Sequence, residues 1–147
     1  MKQSEFKVKR ETIKWNATPI NESRSEFIPQ MQTDISLTSI SRKIIIDTKY
    51  YQEALMMNQF ATLKFHSANL YQIYAYLKNL EHISEPATNV NASGILLYPT
   101  TTIELDETFQ VDNHFISVCT VNLATRWKQI EERLLELLKE KVKVGIL

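Results

Sequence analysis

The segment from Lys43 to Lys49 carries three consecutive isoleucines, Ile44–Ile46, and ends in the charged triplet Asp-Thr-Lys. A β-branched apolar run of this kind is typical of a strand that is buried on both faces of a sheet. Residues 31–37 alternate instead, with Met, Thr, Ile and Leu on one face and Gln, Asp and Ser on the other. A polar turn near residues 38–42 separates the two segments, so we predict an antiparallel hairpin.

The remaining patterns predict elements that would cover this hairpin. Residues 6–15 show a weak strand alternation, residues 16–26 form a polar loop, and residues 51–65 have no clear period. A helix is predicted from Ser67 and ends before Pro86; strands are predicted at residues 95–98 and 115–121. From Thr125 a terminal amphipathic helix carries the apolar stripe Trp127, Ile130, Leu134, Leu137 and Leu138. This order predicts a mixed α/β layer fold in one domain spanning residues 1–147.

Composition excludes several functional classes. Seventeen basic residues balance seventeen acidic ones, so no global field would draw the chain to nucleic acid. With two glycines, Gly94 and Gly145, the chain contains neither a P-loop nor a dinucleotide-binding turn. The single Cys119 excludes an internal disulfide and is read as a core residue, with a reactive thiol as the alternative. No apolar run is long enough for a membrane span and no signal region begins the chain, so we expect a cytoplasmic protein.

Two aspartates and a lysine form the candidate site. Asp34 and Asp47 lie six and seven residues from a turn near residue 40, so hairpin pairing would bring them together. Asp47 and Lys49 are two residues apart and therefore point to the same face. Carboxylate oxygens suit Mg²⁺ or Mn²⁺, and a neighbouring ammonium group could stabilise charge on an attacked phosphate. The alternative is that these are solvated surface residues, because an Asp-x-Lys sequence at a strand end is common by chance.

Four segments together resemble a known family: Met31–Ile35, Lys43–Tyr51, Asn69–Tyr76 and Gly94–Pro99. Their sequences resemble the PD-(D/E)xK nuclease motif in the form found in McrC-like subunits of 5-methylcytosine-specific restriction systems. The resemblance runs from about Phe27 through the segment Phe115–Trp127 and the helix that follows. It implies a restriction-endonuclease-like mixed sheet flanked by helices.

The resemblance implies a role for each matching position. Asp34 and Asp47 match the two metal-ligating carboxylates, the backbone carbonyl of Thr48 matches a further metal ligand, and Lys49 matches the catalytic lysine. Gln72 and Tyr76 match the QxxxY motif of the RecB-like branch, and their i, i+4 spacing puts both side chains on one helix face. Gln72 is accordingly expected at the catalytic site and Tyr76 at the substrate; a core role for Tyr76 is the alternative.

Two features depart from the family pattern. Thr33 replaces the proline that precedes the first aspartate, and the segment before Asp34 looks like strand and loop where such nucleases begin with a helix that supplies another acidic residue. We also expect that the amino-terminal region of McrC-like subunits is absent from this sequence. We therefore expect the carboxyl-terminal nuclease portion of a longer subunit, or a truncated or split version of one.

The leading hypothesis is a Mg²⁺-dependent DNA endonuclease domain, with Mn²⁺ as a substitute. The resemblance implies methylated DNA as substrate and an McrB-like AAA+ GTPase that recognises it. A non-catalytic module that only assembles with this partner is the alternative, and an unrelated α/β domain is a third. The other candidates are expected to have structural roles. We predict His66, His82 and His114 on the surface and a solvated acidic turn at Glu104, Asp106 and Glu107. The terminal helix, with Lys139, Lys141 and Lys143 near its end, is expected to pack against the core, and Tyr50 and Tyr51 either contact the substrate or are buried.

Overall fold

The computed structural model describes residues 6–49, 55–57, 63–65, 67–99 and 104–140. The strands are β1 Lys7–Lys9, β2 Thr12–Ile13, β3 Met31–Gln32, β4 Ile35–Thr38, β5 Lys43–Thr48, β6 Leu55–Met57, β7 Leu63–Phe65, β8 Ser93–Pro99, β9 Asp106–Val111 and β10 His114–Val121. The helices are α1 Ser67–Leu80 and α2 Trp127–Leu137, with short 3-10 turns at Ser25–Phe27 and Ala87–Asn91. In this part of the chain no helix is long and apolar enough to cross a bilayer.

Six strands form one mixed sheet in the order β1-β4-β5-β8-β10-β9. The central strands β5, β8 and β10 are parallel, whereas β1, β4 and β9 complete the sheet through antiparallel pairing. The parallel strands therefore all finish at the same side of the sheet, called here the carboxyl end; the side where they start is the amino end. Thr48, Leu97 and Cys119 lie level with one another, so β8 and β10 extend beyond β5 towards the carboxyl end.

Each face of the sheet is covered by one helix, as the isoleucine run predicted. Ile45 points to the α1 face and Ile44 to the α2 face. The core on the α1 face contains Ile13, Met31, Ile45, Ile73, Tyr76, Leu77, Leu80, Ala92, Leu96, Tyr98, Ile116 and Val118. The core on the α2 face contains Leu37, Ile44, Ile95, Leu97, Cys119, Val121 and Leu137. The mixed α/β architecture and the buried position of Cys119 are therefore confirmed.

The segment around Asp34 is split, although its alternation predicted one continuous strand. β3 pairs with β2 in a separate two-stranded sheet, and β4 pairs with β5 in the main sheet. Thr33 lies between them and is completely buried. Its amide donates to the carbonyl of Glu11 over 2.8 Å, and its hydroxyl accepts from the amide of Glu11 over 2.9 Å. A proline at position 33 would lack the first of these bonds, because proline has no N–H.

Three further expectations are corrected. Asp106 and Glu107, predicted to lie in a turn, begin β9, which the sequence concealed because nearly all of its side chains are exposed at the sheet edge. His114, predicted on the surface, is buried because Glu81 and the carbonyl of Ala92 provide polar partners inside. Trp127, part of the predicted apolar stripe, is 74% exposed because it begins α2 at the carboxyl end of the sheet. The expected surface position of His82 is confirmed.

Candidate active site

The β4–β5 hairpin places Asp34 opposite Asp47. Ile35 pairs with Ile46 in the antiparallel ladder, so the next two residues outward are these aspartates. The hairpin closes at the other end through a hydrogen bond from the amide of Ser39 to the carbonyl of Arg42. Residues opposite each other in an antiparallel pair have Cβ atoms about 5 Å apart and point to the same face. The count from the turn therefore predicted this pairing correctly.

Asp47 is a buried carboxylate with an unsatisfied oxygen. The residue is 3% exposed, and its Oδ2 accepts no hydrogen bond from the described part of the chain. The Nζ of Lys49 lies 2.7 Å from Oδ2 as an ion pair. Burial raises the pKa of Asp47, the ammonium group of Lys49 opposes this rise, and the carboxylate of Asp34 adds to it. Such a group is stabilised by a cation that replaces its lost hydration.

Asp34 is exposed, and Thr48 fixes its orientation. The Oδ2 of Asp34 accepts hydrogen bonds from the amide of Thr48 over 2.8 Å and from its hydroxyl over 2.9 Å. The next amide, that of Lys49, donates to the carbonyl of Leu97 on β8. Because N–H and C=O point in opposite directions across a trans peptide unit, the carbonyl of Thr48 points away from β8, to the side of Asp34. Two carboxylates and one carbonyl thus converge at the end of β5.

A chain of hydrogen bonds connects Lys49 to α1. Its Nζ donates to Oε1 of Gln72 over 2.6 Å, and Nε2 of Gln72 donates to the hydroxyl of Tyr76 over 2.8 Å. The hydroxyl of Tyr76 donates to the backbone carbonyl of Gln32 over 3.1 Å, so this series of hydrogen bonds ends on the backbone. Tyr76 is 4% exposed, and burial raises its pKa, against the lowering effect of the bond from Gln72. The structure therefore places Gln72 at the ammonium group and Tyr76 behind Gln72.

Asn69 and Tyr98 adjoin the site, and neither was given a role from the sequence. Nδ2 of Asn69 donates to the hydroxyl of Tyr98 over 3.2 Å. Tyr98 is 1% exposed; burial raises its pKa, the bond from Asn69 lowers it, and the charge of Asp47 raises it. Asn69 precedes Gln72 by three residues, so helical spacing was the available signal for its position on the same face.

Other polar candidates lie elsewhere. Glu11 is an acidic residue before the Asp34 strand, but it pairs with Lys43, 2.6 Å away, at the amino end of β5. No α-helix precedes Asp34 within residues 6–33, and the described residues contain no cluster of three His, Cys, Asp or Glu side chains arranged around a metal. His114 and Glu81 also lie at the amino end of the sheet. Tyr50, Tyr51, His66, Lys141 and Lys143 are outside the described residues.

The donor set at the carboxyl end suits a hard divalent cation. Asp34 and Asp47 carry two negative charges against the single positive charge of Lys49, which lies 2.7 Å from the buried Oδ2 of Asp47. Carboxylate and carbonyl oxygens are the ligands that Mg²⁺ and Mn²⁺ take, usually together with several waters. The residues present therefore fit such an ion.

Comparisons with known proteins show which family the chain resembles. Residues 2–99 match the family described as McrBC 5-methylcytosine restriction system component. The chain is also 34% identical, over 134 residues, to the type IV methyl-directed restriction enzyme EcoKMcrBC of Escherichia coli strain K12. The alignment covers 91% of this chain and 37% of that relative, so the chain spans little more than a third of the relative's length.

Proposed function

Because this chain belongs to the family of McrBC 5-methylcytosine restriction system components, we propose that it is a Mg²⁺-dependent endonuclease domain that hydrolyses phosphodiester bonds of DNA. In this proposal residues 1–147 form one nuclease-like domain with a restriction-endonuclease-like fold. The central hairpin followed by α1 and the parallel strand β8 supports that assignment. A cytoplasmic location goes with this function.

One observation carries the proposal. Asp34 faces Asp47 across the hairpin, and Lys49 joins them from the same strand as Asp47. Burying the carboxylate of Asp47 beside that of Asp34 costs stability, which the one ammonium group of Lys49 offsets only in part, since the pKa of Asp47 is raised. An arrangement of this kind is explained by ion binding, and perturbed carboxylates beside a specific charge partner mark functional sites in general.

The residues divide the chemistry among them. Asp34, Asp47 and the carbonyl of Thr48 would hold the ion, with Thr48 also keeping Asp34 in orientation. Bound Mg²⁺ supplies Lewis-acid activation of water and of the phosphate. The ammonium group of Lys49 stabilises the negative charge that develops on the phosphate oxygens as water adds across a P–O bond. Gln72 holds this ammonium group in place, and Tyr76 holds Gln72.

Methylated DNA and an McrB-like AAA+ GTPase complete the proposal as substrate and partner. Membership of a restriction system implies both DNA and a partner subunit. The zero net charge of the chain agrees with recruitment by a partner, since autonomous DNA binding depends on many basic phosphate contacts. The absence of a P-loop from the sequence leaves nucleotide hydrolysis to the partner.

A second candidate function is a non-catalytic module that assembles with the same partner. The observation in its favour is that the described residues before Asp34 supply no third carboxylate to the site, because Glu11 is committed to Lys43. In that case the chain would bind its partner without cutting DNA. Direct measurement of cleavage distinguishes the two candidates.

The test combines cleavage with ion binding, using the full chain and a McrB-like GTPase with GTP. The wild type is expected to nick or cut methylated plasmid in Mg²⁺ or Mn²⁺, and Asp47→Ala to abolish cutting. Asp112→Asn is the matched control, because it removes an aspartate charge at the amino end of the sheet, and asparagine tolerates the positive φ of 55° found there. Calorimetric titration with Mn²⁺ should show binding that Asp34→Ala weakens.

Two results would contradict the endonuclease proposal. One is the absence of cleavage by the wild type with the partner, GTP and either ion, which would favour the assembly module. The other is Mn²⁺ binding that is missing, or that is the same in the wild type and Asp34→Ala.

A further inference from the structure

The first turn of α2 lies at the same end of the sheet as the candidate active site. β10 runs parallel to β5 and β8, and α2 follows its carboxyl end after the short segment 122–126. The other end of α2 reaches the amino end of the sheet, where the guanidinium group of Arg42 donates to the carbonyl of Leu138. Helix α2 therefore runs back along the sheet from Trp127. Trp127 stands at the same end of the sheet as Asp47 and Lys49 but on the other face, because these two residues share the α1 face with Ile45.

This turn presents an aromatic side chain between two cations. Trp127 is 74% exposed and Leu123 is 51% exposed. Arg126 and Lys128 flank Trp127, both are exposed, and neither forms an ion pair with the described residues. No acidic residue occurs from position 122 to position 130, and Glu131 and Glu132 follow one helical turn after Lys128. An exposed aromatic ring beside unneutralised cations is suited to nucleic acid, because bases stack on the ring and phosphates bind the cations.

Thr48 connects this surface to the site. A cavity of about 350 Å³ lies between α2 and the sheet, and its walls include Thr48, Leu123 and Ile130. Thr48 is the residue that donates two hydrogen bonds to Asp34. Only β8 separates β5 from β10, which corresponds to about 10 Å across the sheet. Duplex DNA carries about one charge per 1.7 Å of axis, so a duplex that lies across the carboxyl end of the sheet, with a phosphate at Lys49, presents further phosphates towards this turn on the other face.

We propose that Leu123, Arg126, Trp127 and Lys128, called here the α2 entry surface, bind the DNA beside the bond that is cut. The proposal rests on the endonuclease function and assigns to this chain a DNA contact of its own, separate from recognition by the partner. Arg126 and Lys128 contact phosphates, and Trp127 stacks on a base or sugar next to them. Nucleic acid is the favoured occupant because its phosphates pair with both cations while a base covers the exposed ring.

The test measures the binding of a fluorescently labelled methylated duplex to the full chain in Ca²⁺ and in EDTA. Arg126→Gln/Lys128→Gln is expected to raise Kd about tenfold and to reduce the slope of log K against log salt by about 2. Trp127→Ala is expected to raise Kd about fivefold or more. The matched controls are Lys7→Gln/Lys139→Gln, two exposed cations at the amino end of the sheet, and Phe109→Ala, an exposed aromatic on β9. Both should bind like the wild type.

A spectroscopic measurement reports on Trp127 directly. The chain contains two tryptophans, so Trp15→Phe leaves Trp127 as the single one. Its fluorescence should be quenched on addition of the duplex, and the quenching should follow the binding curve.

The proposal is overturned if the wild type does not bind the duplex, or if the surface variants keep the wild-type Kd and salt slope. It is also overturned if the surface variants bind DNA normally but no longer bind the GTPase partner, because that result would identify a protein-docking surface. These experiments measure binding, so their outcome can be told apart from that of the cleavage test. If Asp47→Ala abolishes cutting but the α2 variants bind DNA like the wild type, the endonuclease function is supported and the α2 entry surface is rejected.

Discussion

The amide oxygen of Gln72 on α1 accepts a hydrogen bond from the ammonium group of Lys49, the residue directly after β5, over 2.6 Å. Lys49 is thus held by two elements at once, since its Nζ also lies 2.7 Å from Asp47 within its own strand. A lysine side chain has several rotatable bonds, and fixing it costs conformational entropy. The contact from α1 fixes this lysine before any substrate is present.

Replacement of Gln72 by leucine should therefore slow cleavage more than it weakens DNA binding. A hydrogen bond to a charged group contributes about 1.5–3 kcal/mol, which corresponds to a rate decrease of about 10-fold to 100-fold. Single-turnover cleavage of methylated plasmid gives the rate, and titration of labelled duplex gives Kd. Gln110→Leu, at an exposed position on β9, is the control. An unchanged rate in Gln72→Leu would show that the ammonium group needs no support from α1.

Thr48 should influence ion affinity through its hydroxyl. Thr48→Val removes the 2.9 Å bond to Asp34 but keeps the amide bond, whereas Thr48→Ser keeps both donors. Loss of a residue that orients a metal ligand typically lowers affinity by about tenfold or more. Calorimetry with Mn²⁺ should therefore show weaker binding for Thr48→Val and near-normal binding for Thr48→Ser. Equal affinity in the two variants would mean that the amide alone orients Asp34.

Gly94 should be intolerant of substitution because α1 crosses β8 closely at this point. A Cβ at position 94 would lie 2.8 Å from Cδ1 and Cγ1 of Ile73 and 3.1 Å from Cδ1 of Leu77. Overpacking of this kind costs about 1–3 kcal/mol, so Gly94→Ala should lower the free energy of unfolding by that amount. Urea denaturation measures it, and Ile73→Val should recover part of the loss in the double variant. Strictly additive losses would place the clash elsewhere.

The charged cluster around Glu81 predicts a stability that falls in acid. Burial raises the pKa of Glu81, but hydrogen bonds from Lys78 and His114 outweigh it and lower the pKa below its ordinary value of 4.5. The unfolded chain therefore takes up this proton at a higher pH than the folded protein does. The stabilisation is complete well above pH 4.5, and it is lost as the pH falls through the lowered pKa of the folded state.

Urea denaturation of the wild type and Glu81→Gln should show this dependence. At about pH 7 the variant should be less stable by about 1 kcal/mol, and the difference should shrink below about pH 4. Glu107→Gln, on the exposed strand β9, should follow the wild type at both values. A difference between wild type and Glu81→Gln that does not change with pH would exclude the ionised carboxylate as its cause.

Local pattern was sufficient for the elements that pack with a regular period. The isoleucine run of β5, its pairing with β4 and the start of α1 at Ser67 were all confirmed. Counting from the hairpin turn also predicted that Asp34 and Asp47 face each other. These features depend on side-chain alternation and on pairing between neighbours in sequence, which a single chain displays directly.

Contacts between segments that are distant in sequence could not be predicted from local sequence patterns. His114 is buried because Glu81, 33 residues away, meets its ring over 2.6 Å, and nothing near His114 in the sequence announces that partner. The exposure of Trp127 depends on where α2 begins relative to the sheet. The approach of Gln72 to Lys49 depends on the placement of α1, and the sequence offered it only through the family resemblance.

The distance between the two aspartates is set by the β4–β5 ladder and not by the turn that closes the hairpin. Asp34 and Asp47 occupy the open end of a hairpin whose closed end is the turn from Ser39 to Arg42. The turn can therefore change in length or in sequence while the ladder stays in register. Deletion of a single residue within β4 would instead rotate Asp34 to the opposite face and disconnect it from Asp47. The four residue pairs from Ile35–Ile46 to Thr38–Lys43 therefore determine whether the two carboxylates can share one ion.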